Sequence, residues 1–372
     1  MNRFWAIFKK EFRQIRRDPL SLGLLIFLPA LLLVLYGYAL SFDVKHIRVA
    51  VLDEDRTPQS RELLDGLFQN QYFDRVMTLT GRAGIDKLLV HARVRAVLIV
   101  PRGYAKALAR GERVALQVLV DGADANTAST TIGYFDALAD RATRKVRFDI
   151  LSRAGASIPM VVPEPRLWFN PELNSAKFLV PGLIGLLLML SAVIATSLSI
   201  VREKERETIE QMMVSPIRPE ELILGKTLPY VIIGLLTMIM ILLIGYYLFD
   251  VVIRGSFVLL GITTLLFLFA ALGMGVLISS VTRSQQMAFQ IAILTTLLPS
   301  LILSGFIFPI KNMPLLIQGM TLIVIPRYFV TALREIMMKD ASFRVIAPQL
   351  AAMFALGLLY NLLAAHKTRK SI

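Results

Sequence analysis

The stretch Phe178 to Val201, FLVPGLIGLLLMLSAVIATSLSIV, contains no charged side chain. A helix needs about 20 apolar residues to cross a hydrocarbon core about 30 Å thick, so this stretch is long enough to span a membrane. Five more uncharged runs flank it: Pro19 to Phe42, Thr227 to Phe249, Gly255 to Thr282, Ser284 to Ile310 and Val345 to Ala365. Inside lipid only helices and closed barrels satisfy their backbone, and unbroken apolar runs lack the alternation of a barrel strand. The chain therefore reads as a mainly α polytopic membrane protein with six transmembrane helices. A hydrophobic content of 55% fits a chain half inside lipid better than a soluble domain.

The runs hold no Asp, Glu, His, Lys or Arg. Ion-driven transporters need such groups within the membrane to bind the coupling ion, so any uphill movement here draws its energy from elsewhere. The net charge of +14 is placed beside the runs. Arg3, Lys9, Lys10, Arg13, Arg16 and Arg17 precede the first, and His366, Lys367, Arg369 and Lys370 follow the last. Positive charge next to spans marks the cytoplasmic side, and an even span count puts both termini there. The basic balance is thus read as topology in a cytoplasmic (inner) membrane, with the lipid bilayer as partner and no nucleic acid. Cysteine is absent, which excludes disulfides, thiolate metal sites and a thiol nucleophile. The first apolar run is too long for a cleavable signal and no Ala-x-Ala-like site follows it.

Residues 1–18 read as an amphipathic interfacial (elbow) helix. Phe4, Phe8, Phe12 and Ile15 share one face with Trp5 beside them, and cations occupy the rest. Asp18-Pro19 breaks it before transmembrane helix 1, residues 19–42.

Residues 43–173 read as an inserted extracytoplasmic α/β domain. Ile47 to Leu52, Arg75 to Leu79, Arg95 to Val100 and Ala115 to Val120 are candidate strands. Helices are expected from Thr57-Pro58, over Gly84 to His91 and Tyr104 to Arg110, and from Asn126 to about Ser152. The acids Asp53, Glu54, Asp55, Asp121 and Asp124 follow strands without a histidine or carboxylate partner at metal-binding spacing, so they read as loop chemistry. Substrate handling or docking of another envelope protein is the expected use of this domain.

Residues 174–372 carry transmembrane helices 2–6, with a cytoplasmic loop at 202–226 and an external re-entrant segment at 305–340. In the loop, helix 2 should continue until Pro216, with Arg202–Glu205 and Arg206–Glu210 pairing along it. Glu203, Glu207 and Glu210 would share one face, and Ile209, Met212 and Met213 would form an apolar patch rimmed by charge, as a docking surface requires. The segment VREKERETIEQMMVSPIRPEELILGKTLPY, Val201 to Tyr230, resembles the hallmark of ABC-2-type permeases, the membrane subunits of ATP-binding-cassette exporters. Thr208, Glu210, Met212, Met213, Ser215 and Pro216 match one motif, and Glu221, Leu222, Gly225 and Lys226 a second. Glu207 stands where the family commonly has glycine, and Met212-Met213 replace leucines. SGFIFPIKNMP (Ser304 to Pro314) and IPRYFVTALREIMMKD (Ile325 to Asp340) resemble the family's external re-entrant segment. The large insertion is similar to that of the bacterial multidrug-type branch.

The resemblance implies a separate ATPase subunit contacted by Glu203, Glu207, Glu210, Met212, Met213 and Pro216. It also implies a dimer with a second permease copy or paralogue, and it admits a periplasmic adaptor and outer-membrane channel. Gly225-Lys226-Thr227 imitates the end of a phosphate loop, but Glu220 stands where its first glycine belongs. No cofactor is therefore expected on this chain, and ATP acts through the partner ATPase. Ser191, Ala195 and Ser199 recur at helical spacing with Ala192 and Thr196 alongside, and Ala271 and Gly275 repeat the spacing on span four. Ser191, Ala195, Thr196 and Ser199 are the candidate interface or substrate-lining residues. From Ser284 to Pro326 the prolines and glycines Pro299, Gly305, Pro309, Pro314 and Gly319 interrupt the run, which reads as a span followed by a re-entrant turn. The expected function is export of an amphipathic or hydrophobic substrate. The alternative is a membrane-anchored sensor or scaffold acting through its external domain.

Overall fold

A computed structural model of the 372-residue chain describes residues 2–39, 46–69, 72–153, 168–170, 174–207 and 219–370. The chain divides into two compact units, one of residues 1–41 and 166–372, the other of residues 42–165.

The larger unit is helical. α1 (Asn2–Arg17) and α2 (Pro19–Ala39) meet at Asp18, whose N–H still reaches the Ile15 carbonyl at 3.1 Å. With α2, α7 (Ser175–Glu205), α8 (Pro219–Phe249), α9 (Phe257–Val281), α10 (Gln285–Ile302) and α13 (Phe343–Lys370) make six helices, among the described residues, long and apolar enough to cross a membrane. α7 is the central one: its window is 78% buried, against 22% for the windows of α2, α10 and α13. That contrast places the protein core around α7 and leaves the other faces for lipid.

Proline inside a helix frees the carbonyl four residues earlier, and in lipid that carbonyl needs another donor. Pro29 in α2 frees Leu25 in this way, and Thr237 of α8 donates to the Leu25 carbonyl at 3.4 Å. The fifth span is shorter than its uncharged run. α10 stops at Ile302, and Gly305 takes a φ of +78°, which glycine adopts without steric cost. α11 (Leu315–Met320) and a 3-10 turn at Thr321–Ile323 follow, and α12 (Ile325–Lys339) leaves them at 88°. The expected turn therefore consists of short helices around a sharp bend. Arg334 of α12 holds it. Its guanidinium donates to the carbonyls of Gly305 at 2.8 Å, Phe306 at 3.1 Å and Phe178 at 3.2 Å, and lies 3.8 Å from the Phe178 ring centroid. Phe306 is fully buried against Gly182, where an added Cβ would approach its ring to 2.0 Å.

The smaller unit contains a four-stranded sheet. β1 (Ile47–Asp53), β2 (Phe73–Thr78), β3 (Ala96–Val100) and β4 (Gln117–Val120) lie in the order β2-β1-β3-β4. β1 runs parallel to β2 and β3, and β4 is antiparallel to β3. β1 and β3 have nearly continuous burial because helices cover both faces. Val49, Val51 and Leu98 face α3 (Pro58–Phe68), α5 (Tyr104–Ala109) and α6 (Ala125–Arg153). Ala50, Leu52, Val97 and Ile99 face α4 (Ile85–Val90) on the other side. The strands match the expected ones within two residues at each end.

The acidic loop after β1 is a capping device. Thr57 and Ser60 close a reciprocal capping box at the start of α3. Asp53 accepts from the Ser60 hydroxyl at 2.7 Å, and Asp55 accepts from the Gly103 and Ala105 amides at 2.8 and 3.0 Å. Glu54 pairs with Arg82 at 2.9 Å. The Thr57 hydroxyl, then the amides of Ala105, Gly103 and Tyr104, hold the Asp55 carboxyl below its usual range against the opposing effect of burial. A depressed folded pKa adds stability that is present above the unfolded value and lost as pH falls through the folded one. Residues 43–172, expressed alone, should melt cooperatively, and their melting temperature should drop on acidification below about pH 4, the ordinary aspartate range. Asp55→Asn should flatten that drop in circular dichroism melts; an unchanged slope would remove Asp55 from the account.

Candidate functional site: a buried charge cluster and an adjoining cavity

α1 carries one acid among its cations, Glu11, and a helix lying free on a membrane would turn that side chain to water. Instead Ile7 and Glu11, one turn apart, are the buried positions of α1, at 6% and 1% exposure. Ile7 lies against Gly225 of α8. The aromatic stripe stacks along the helix, with Phe4–Phe8 and Phe8–Phe12 centroids 6.4 and 5.9 Å apart, while Trp5 and Phe12 stay exposed. The face packed on protein is therefore a different one from the aromatic face the spacing picks out.

Around Glu11 the middle of α1, the end of α7 and the first turns of α8 share four charges. Lys226, near the start of α8, is 2% exposed, and Glu203, near the end of α7, is 5% exposed. Lys10 and Lys226 each contact one oxygen of the Glu203 carboxylate. Glu11 lies 3.5 Å from Lys226 and 3.3 Å from Lys10. Two cations and two anions cancel, which is the condition for keeping Glu11, Glu203 and Lys226 out of water, while Lys10 closes the set from an exposed position. Burial pulls the Lys10 ammonium toward a lower pKa, but the Glu203 and Glu11 carboxylates outweigh it and leave it raised.

The end of α7 is tied further. Arg202 meets Asp18 at 3.7 Å and donates to the Gln285 side chain at 3.3 Å. Glu205 accepts from the Gln285 amide at 2.7 Å, and Lys204 donates to the Ser279 carbonyl. The expected Arg202–Glu205 pair along the helix gives way to these contacts, because neighbouring helices offer partners that a solvated helix would lack.

α7 does not reach Pro216. It ends at Glu205, with the Arg206 amide on the Arg202 carbonyl and the Glu207 amide on that of Lys204. Glu207 follows with φ at +56°. That left-handed conformation after a helix end is where glycine is favoured. Glu207 is thus off the helix, and Glu203 is buried rather than on a solvated face. Glu210, Met212, Met213 and Pro216 lie outside the described residues. Gly225-Lys226-Thr227 belongs to a helix and Lys226 is committed to the cluster, so the resemblance to a phosphate loop goes no further.

A cavity of about 280 Å³ adjoins the cluster. α2 lines it with Leu25, Leu28 and Leu32, α7 with Leu187, Ile194 and Leu198, and Phe289 of α10 completes the apolar wall. Glu11, Gln14, Asp18, Arg202 and Tyr230 give it polar groups. Ser191, Ala195 and Ser199 line it too. Thr196 lies on another face of α7, where a Cβ at Gly275 would come within 2.9 Å of its own Cβ. The small residues of α7 thus serve two purposes: the Ser191 stripe opens a cavity, and Thr196 permits close packing on α9. The sequence reading took Lys10 as a topology charge and Lys226 as a motif residue and passed over Glu11, so the cluster itself was not foreseen. The available signal was a lone acid in a cationic helix.

Two outcomes follow from this geometry. Removing one partner of a buried charge set costs about 3–5 kcal/mol, whereas replacing both can be nearly neutral. Lys226→Met should therefore lower the unfolding free energy of the detergent-solubilised chain by that order, and adding Glu203→Gln should recover much of it. Additive losses in the double variant would contradict the cluster. Glu207→Gly should raise the melting temperature, since a left-handed non-glycine residue costs about 1–2 kcal/mol. In a continuous helix the same change would cost about 1 kcal/mol, so the sign alone separates the two structures.

A family profile described as "ABC-2 family transporter protein" matches residues 20–366. The chain is 32% identical over 368 residues to the "Probable multidrug ABC transporter permease YbhS" of Escherichia coli K12, covering 99% of this chain and 97% of that one. It is 29% identical to the "Probable multidrug ABC transporter permease YbhR" of the same strain, over 93% of this chain and 92% of that one. It is also 24% identical to "ABC transporter G family member 20" of Dictyostelium discoideum, over 91% of this chain and 46% of that longer protein. With six membrane-length helices and a family match over nearly its whole length, the chain belongs to the ABC-2 family of transporter permeases.

Proposed function

We propose that this chain is the permease subunit of an exporter, moving an amphipathic or hydrophobic molecule out of the cytoplasm or the inner membrane with ATP hydrolysed by a separate subunit. The observation that carries the reading is the position of the cavity. It is apolar along α2 and α7, polar toward Glu11, Asp18 and Arg202, and directly adjoins the helix ends that bound residues 206–218. A molecule with an apolar body and a polar end fits such a wall. The relatives whose names carry the word multidrug are in keeping with a substrate of this kind. Family membership does not favour the anchored sensor.

In this reading residues 206–218 face the cytoplasm, as do both termini, and meet the ATPase through Glu207, Glu210, Met212, Met213 and Pro216. Glu203 acts one step behind that contact. Its carboxylate joins the last turn of α7 to α1 and to the first turns of α8, so a displacement of the loop reaches α1 and α2 through the charge cluster. The chain itself binds no nucleotide, and two permease subunits, identical or paralogous, form the membrane part. Residues 43–173 stand outside the cytoplasm, where they handle substrate or dock a periplasmic adaptor serving an outer-membrane channel.

The test is reconstitution with the ATPase subunit in proteoliposomes and ATP-dependent transport of an amphipathic dye. Glu210→Ala and Met212→Ser should weaken co-purification of the ATPase by on the order of 30-fold, as losing a partly desolvated interfacial charge partner does. Ala195→Trp should leave co-purification unchanged and abolish dye transport by filling the cavity. Wild-type transport by Ala195→Trp would refute the cavity as the substrate path, and ATP binding by the isolated chain would refute the division of labour.

A further inference from the structure

The smaller unit holds a second pocket, of about 520 Å³ and open to solvent on one side, lined wholly by residues between 63 and 143. Pockets for small organic ligands run about 300–1,000 Å³. Its origin is visible in the spacing along α6. Tyr134 and Phe135 fill the space between helix and sheet, with ring centroids 4.5 Å from Tyr72 and 4.9 Å from Phe73. One and two turns later the residues lining the pocket are Leu138, Ala139 and Ala142, two of them smaller than the rings before them. The opposite wall is Leu98 of β3 and Val118 of the edge strand β4, with Leu116 before it. The walls are otherwise apolar, and the charges lining the cavity, Glu112, Arg113 and Asp136, are exposed. Glu112 already has Arg110 at 3.8 Å, which leaves Arg113 and Asp136 as the rim charges without a shared ion pair among the described contacts.

We propose that this cavity is a binding site for an amphipathic small molecule, its apolar body between α6 and the β3–β4 edge and its polar head at the Arg113–Asp136 rim. An apolar occupant excludes water from these walls, and the exposed charges Arg113 and Asp136 at the mouth let the head group stay in water rather than be buried. The site belongs to the smaller unit alone and stands whether or not the cavity between α2 and α7 carries substrate.

The chain contains no cysteine, so a single introduced thiol reports on one place. Full-length protein in lipid nanodiscs would carry Ala142→Cys, inside the cavity, or Asp140→Cys, exposed on the same helix and outside it. The rate of alkylation by N-ethylmaleimide is measured with decanoate or decyltrimethylammonium, each below its micelle concentration. At ten times its dissociation constant, a bound probe should slow the Ala142→Cys reaction about tenfold by mass action and leave the Asp140→Cys reaction unchanged. Leu116→Trp in the Ala142→Cys background should abolish the protection by filling the pocket, with tryptic resistance showing that the unit remains folded. If that variant fails to fold, Ala139→Phe fills the same space from the helix. Asp136→Asn should weaken only the cationic probe and Arg113→Gln only the anionic one, which separates the two kinds of head group. Protection by neither probe, equal slowing at both thiols, or protection that survives the filling variant would overturn the proposal.

Discussion

A peptide group in hydrocarbon has no water to bond, and each carbonyl or amide released from a helix must find a partner within the protein. This constraint explains the interruptions of the larger unit better than any preference for particular loops. Pro29 frees a carbonyl in α2 and Thr237 of α8 reaches it. α10 ends before its apolar run does, and the exposed carbonyls of Gly305 and Phe306 are taken by Arg334. The same guanidinium reaches Phe178 in the first turn of α7, so a cation rather than a helix joins the broken span to the central one. A charge is tolerated there because its hydrogen bonds replace backbone partners that would otherwise be missing.

At the other end of α7 the constraint concerns charge. Glu203, Lys226, Glu11 and Lys10 are neutral only as a set, and the set spans three helices. Losing Lys226 or either glutamate leaves an uncompensated charge out of water, so the arrangement favours one relative placement of α1, α7 and α8 over neighbouring ones. The cavity opens beside this joint, sharing Glu11 and Arg202 with its surroundings. The charge cluster thus lies where α7 leaves for residues 206–218 and where α8 begins, next to an apolar cavity.

Much of this was legible in order along the chain. Uncharged runs gave six helices, Asp18-Pro19 gave the break after α1, and alternating apolar strands with turn residues gave β1 to β4 within two residues. The readings that changed share a cause. Periodicity along α1 picked out the aromatic face, since it measures similarity between residues one turn apart; it cannot know that Ile7 and Glu11 face Gly225 and Lys226. Likewise the pairs expected along the end of α7 were those of an isolated helix, and Gln285 and Asp18 arrive from elsewhere in the chain. The glutamate at position 207 looked like a mild departure in a helical motif, and the backbone there proves to be left-handed.

The sequence by itself determined that the chain carries six long uncharged runs fit to cross a membrane and that it belongs with the ABC-2 permeases, because apolar length, charge placement and linear motifs are local quantities. Only the tertiary structure decided where α7 stops, which small residues face a cavity and which face a helix, and which charges are buried together. Those depend on contacts between residues as far apart as Lys10 and Glu203, and on the space left when one helix packs against another, neither of which has a signature in neighbouring positions along the chain.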